Sequence, residues 1–131
     1  MFGTRGTKIA AIGVGLLMTA SAWADCRRKI SLIPSSVGIA TDSSGAAEVR
    51  AQGSQQRFKL SMDARVADGT LYVVRANGMA VGTITVTLGD GELDLNNNNG
   101  KVLPAGLNPV CSVGQLSVTD AAGNSVLSGS F

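Results

Sequence analysis

From Ser36 onward the chain alternates apolar and polar residues at every second position, in short runs separated by clusters of Gly, Ser, Asn and Asp. Successive side chains of a strand point to opposite faces, so this period predicts half-buried antiparallel strands and shows no helical stripe. Ala47, Val49 and Ala51 alternate with Glu48, Arg50 and Gln52, and Phe58, Leu60 and Met62 alternate with Arg57, Lys59, Ser61 and Asp63. Leu71 to Ala76 and Val81 to Leu88 flank Asn77-Gly78, a pair that takes the positive φ angles of a tight hairpin turn. Thr83, Thr85 and Thr87 share one face of the second of these strands, which makes Gly82 to Leu88 the candidate edge strand. Gly89-Asp90-Gly91 turns the chain again, Leu93 and Leu95 point inward, and Asn97-Asn98-Asn99-Gly100 ends that strand. Leu103 to Val110 holds Pro104 and Pro109 and reads as a connection without regular hydrogen bonds, after which Val113 to Thr119 and Ser125 to Phe131 form a closing hairpin. The expected fold is all-β, a single antiparallel β-sandwich of about seven strands.

The first 24 residues are of another kind. Arg5 and Lys8 precede an uncharged apolar run from Ile9 to Ala20, and Ala22-Trp23-Ala24 supplies the small residues of a signal-peptidase site. We therefore expect a cleaved signal helix over 1–24 and a single domain over 25–131. The apolar run falls short of the about 20 residues that span a bilayer, so no membrane span is expected after cleavage. The expected location is outside the cytoplasm: periplasm, cell surface or medium. Without Arg5 and Lys8 the chain has 9 basic and 9 acidic residues, and this even balance supplies no footprint for nucleic acid. Arg27-Arg28-Lys29 is its one basic cluster and reads as a solvated edge.

Cys26 and Cys111 are the only cysteines, and export into an oxidising compartment predicts a disulfide between them. Such a bond would pin the leading segment Arg28 to Ile33 onto the body. The chain has no histidine, which removes Ser-His and Cys-His nucleophile pairs, a histidine general base and histidine-bearing metal sites. No Ser-x-x-Lys spacing occurs either, so an enzyme is not expected, nor is a cofactor. Tyr72, Phe58 and Phe131 are too few aromatics for a stacking platform, and Tyr72 and Phe131 read as packing residues.

Asp90, Glu92, Asp94, Asn96 and Asn98 put oxygen-bearing side chains at every second position, the residue types that suit calcium. An EF-hand reading from Asp94 fails, because the glycine falls at Gly100 and Ala105 stands where a bidentate glutamate belongs. A solvated outer strand face accounts for the same residues.

Gly69-Thr70-Leu71-Tyr72-Val73-Val74, then Asn77-Gly78, Val81-Gly82-Thr83-Ile84-Thr85-Val86 and Gly91-Glu92-Leu93-Asp94-Leu95 resemble small exported bacterial β-sandwich proteins. Gly45-Ala46-Ala47 with the sandwich pattern is remotely similar to a chordin-type secreted domain, without the histidines of a metal-linked role. The resemblance implies a fold and brings no catalytic residue with it. The function expected is that of a non-enzymatic envelope or secreted protein acting through protein–protein contacts, as an assembly or accessory component, with a protein partner or self-association at a sheet edge. Two other readings stay open: a small ligand- or calcium-binding module, and a secreted inhibitor of an enzyme with Leu103 to Val110 as its rigid exposed loop.

Overall fold

The structure, a computed structural model, describes residues 25–131, so the leader expected over 1–24 lies outside the described residues. Its strands are β1 (Cys26–Pro34), β2 (Ser44–Gln52), β3 (Gln55–Asp63), β4 (Thr70–Ala76), β5 (Met79–Val86), β6 (Asp90–Asn96), β7 (Gln115–Thr119) and β8 (Ser125–Ser130). They pair antiparallel in the order β5-β4-β7-β8-β1-β2-β3-β6, one eight-stranded sheet that folds over on itself into a nearly closed barrel. The all-β class is the one the alternation requires. The strand count is eight instead of seven because the leading segment is itself a strand, paired with β2 from Cys26 to Leu32. Arg27-Arg28-Lys29 hides the alternation there, which Ile30 and Leu32 carry alone.

β1 also makes the fold-over. Its first seven residues pair with β2, whereas Ile33 and Pro34 pair with Ser128 and Leu127 of β8. This places β1-β2-β3-β6 in one layer and β5-β4-β7-β8 in the other, with the apolar faces inward. Phe58, Leu60, Ile84, Val118 and Leu127 are fully buried between them, and Tyr72 is buried as well.

The Asn77-Gly78 turn forms as expected, with φ of 50° and 84° between the paired residues Ala76 and Met79. The Asn77 side-chain oxygen also accepts from the Gly114 and Gln115 amides, at 3.0 and 3.1 Å, which ties this turn to the start of β7. The next turn differs from the expected Gly89-Asp90-Gly91. Leu88 and Gly89 take φ of 54° and 82° at its corner, so β5 ends at Val86, Leu88 is 85% exposed and Asp90 already belongs to β6.

A single helical turn, α1 (Ser36–Ala40), follows β1, its amide at Gly38 capped by the Ser35 hydroxyl at 3.2 Å. Five residues are too few to show a helical period in the sequence. The connection Leu103 to Val110 contains a 3-10 turn over Ala105–Leu107, and a second spans Val110–Ser112. Leu103, Leu107 and Val110 are buried, and the two turns pack from β4 and β5 across to β2 and β3, closing one end between the layers.

Candidate functional site

Three regions gather the residues that the sequence brings forward. At the first, Cys26 of β1 is bonded to Cys111 in the turn before β7, across a sequence separation of 85. Arg28 reaches the same end: its guanidinium donates to the Cys111 carbonyl at 2.6 Å and lies 5.5 Å from the centre of the Phe131 ring. Phe131 packs against the core, and its amide donates to the Gly114 carbonyl at 2.8 Å. Arg27, Arg28 and Lys29 are all exposed, as a solvated edge requires, and Arg28 in addition contacts the C-terminal end.

The second region is the outer face of the β1-β2-β3-β6 layer, where charge alternates from strand to strand. Lys29 stands opposite Glu48, Glu48 opposite Lys59, and Lys59 opposite Asp94. Neighbouring residues add diagonal ion pairs: Arg27 to Glu48 at 3.6 Å, Lys59 to Glu92 at 3.7 Å, and a two-pronged Arg57–Asp94 pair at 2.9 and 2.5 Å. The hydrogen bond and charge of Arg57 hold the Asp94 carboxyl below the ordinary carboxylate range.

These pairings redistribute the proposed calcium ligands. Asp90, Glu92, Asp94 and Asn96 are strung along the outside of β6; Glu92 and Asp94 are engaged by Lys59 and Arg57, and Asn96 accepts from the Asn98 amide at 3.0 Å. Asn98 sits beyond the strand in a 3-10 turn. Among the described residues no three acidic, cysteine or histidine side chains are grouped to hold a metal ion. The series is a strand face with basic partners on β3, because the two-residue period that spaces the oxygens also spreads them along the strand.

Asp63 faces Asp90 directly across β3 and β6, and a hydrogen bond with the Asp90 carboxyl, followed by desolvation and the Asp90 charge, raises its pKa. A carboxyl raised on folding favours the native state while it is protonated and loses that contribution as the pH rises through its folded pKa. Asp63→Asn keeps a hydrogen-bond donor toward Asp90 and removes the like charge. We expect it to raise the melting temperature at pH 7 by about 1 to 4 °C, after screening, and to have less effect at pH 3. Thermal melts at the two pH values check this; a lower melting temperature at pH 7 would refute it.

The third region is the pair of terminal strands. Thr87 and Asp90 exchange both main-chain hydrogen bonds, at 2.8 and 3.1 Å, and the β5–β6 ladder ends with that one bridge. Main-chain groups alternate sides along a strand. On β5, Thr83 and Thr85 therefore direct their N–H and C=O groups away from β4, as Thr87 does. On β6, Glu92 and Asp94 direct theirs away from β3, in phase with Asp90. No main-chain partner for these four residues exists among the described residues. Of the three threonines proposed as an edge, Thr83 has open ladder groups, the Thr85 carbonyl lies against Gly91 of β6, and Thr87 is consumed by the turn.

The terminal strands are close but not side by side. A Cβ on Gly82 would lie 2.7 Å from Leu93, and one on Gly91 would collide with the Ile84 side chain. A Cβ points perpendicular to its sheet, whereas ladder groups point within it. β5 thus crosses the inner face of β6 and leaves the in-plane edge of β6 open. Alternation alone, without pairing order, could not reveal this.

No family model, curated protein or solved structure matches the chain. No helix among the described residues is long and apolar enough to cross a membrane.

Proposed function

We propose that this is a non-enzymatic exported protein of the envelope or cell surface, akin to small exported β-sandwich proteins, that works through main-chain contacts at its sheet edges in an assembly role. The open ladder groups of Thr83, Glu92 and Asp94 carry this reading, since such groups accept a further strand whatever its side chains. In the loop of the inhibitor reading, Leu103, Leu107 and Val110 are buried while Ala105, Asn108 and Pro109 are exposed. The calcium reading loses Glu92 and Asp94 to their basic partners.

The test is the molar mass of the oxidised protein by size-exclusion chromatography with light scattering over a range of concentrations. Growth with concentration, or discrete oligomers, is the expected result. A strict monomer at every concentration removes the assembly role.

A further inference from the structure

We infer that copies of this chain join edge to edge in one direction, the β6 edge of one copy pairing antiparallel with the β1 edge of the next. The inference rests on the assembly reading above and specifies its surface. β1 and β6 are the two edges of one layer, and strands alternate in direction across it, so the β1 of a copy displaced sideways runs antiparallel to β6 without any inversion.

The main-chain groups are in phase for this. Ser35 donates its amide to Val126 of β8 at 3.0 Å, and by alternation Ile33, Ser31, Lys29 and Arg27 direct their groups to the same side. β8 pairs only with the end of this side, at Ile33 and Pro34, and its Gly129 still faces the Ser31 carbonyl, which leaves Lys29 and Arg27 open. A Cβ on Gly129 would lie 3.0 Å from the inward side chains of Ile30 and Leu32, so β8 passes beneath β1 as β5 passes beneath β6.

The charges select the partner. Across the layer the row Lys29, Glu48, Lys59, Asp94 reads plus, minus, plus, minus, and the next position in the series calls for a plus. Lys29 of a second copy supplies it, and no ion pair engages Lys29 among the described residues. In the same register Arg27 of the second copy falls opposite Asn96 and diagonal to Asp94. That is the relation Arg57 already has to Asn96 and Asp94 within one chain. Ser31 then falls opposite Glu92, where Ser61 stands on the other side. The added β1 repeats the chemistry that β3 presents to β6. Because the two edges differ, the contact is heterologous and propagates instead of closing as a two-fold dimer.

The experiment uses protein produced from the full chain and recovered oxidised, with light scattering against concentration and salt. Asp94→Lys and Lys29→Asp should each raise the concentration needed for association about tenfold or more, and an equimolar mixture of the two should recover it, because each then presents the other with an opposite charge. Glu92→Pro deletes an amide that β3 does not use and removes only the exposed Lys59 ion pair, so it should keep a cooperative melt within a few degrees of wild type and abolish growth. Association that persists in both Asp94→Lys and Glu92→Pro overturns the β6–β1 contact while leaving the assembly reading intact; abolition by Thr85→Pro would then move it to β5. Wild-type protein that stays monomeric at every concentration overturns both.

Discussion

Removing the Cys26–Cys111 bond, in a Cys26→Ala/Cys111→Ala variant, should lower the unfolding free energy by about 4 to 5 kcal/mol. The figure follows from the separation of 85 residues, since a cross-link restricts the unfolded chain more as the loop it closes lengthens. Domains of this size have only about 5 to 15 kcal/mol in total, so the variant should sit near the limit of folding. Local contacts add to the effect. Arg28 meets the Cys111 carbonyl and the Phe131 ring at the same end, and freeing β1 there loosens both contacts. Urea unfolding of the oxidised protein and the variant measures the difference, and an unchanged midpoint would show that the bond does not constrain the chain.

Phe58→Ala should cost about 3 to 5 kcal/mol. Phe58 is fully buried on β3, with Val49 of β2 and Leu95 of β6 directly beside it in the ladder, so truncation leaves a cavity in the middle of one layer. The neighbouring main chains are held by ladder hydrogen bonds on both sides and cannot collapse inward to fill it. Phe58→Leu retains most of the volume and should lose well under half as much. A Phe58→Ala loss below about 1 kcal/mol would place the packing centre elsewhere.

Much of the fold was legible because a strand's period of two is a local property. Ala47 to Gln52, Arg57 to Asp63 and the Asn77-Gly78 turn each announce themselves within ten residues, and the structure places them as expected. The disulfide was legible from there being only two cysteines. What stayed hidden depends on neighbours distant in sequence. β1 reads poorly because the basic run Arg27 to Lys29 covers both faces of its first half, and Arg28 has its partners 83 residues or more away. The acidic run on β6 suggests metal ligands until Arg57 and Lys59 are placed beside it, a consequence of pairing order alone. The turn at Leu88 was missed because a leucine with positive φ leaves no local signature, and the burial of Leu103, Leu107 and Val110 because two prolines imply an irregular path without saying which side it faces.

The place of β1 in the ladder also bears on the timing of folding. Its neighbours are β2, made next, and β8, made last. A chain emerging from its N-terminus can form the β1-β2-β3 meander early, but the turn of the sheet at Ile33 and Pro34 must wait for Leu127 and Ser128. Until then the apolar faces of both layers are uncovered and the chain remains pliable. Completion is thus deferred to the end of emergence, when β8 becomes available to β1.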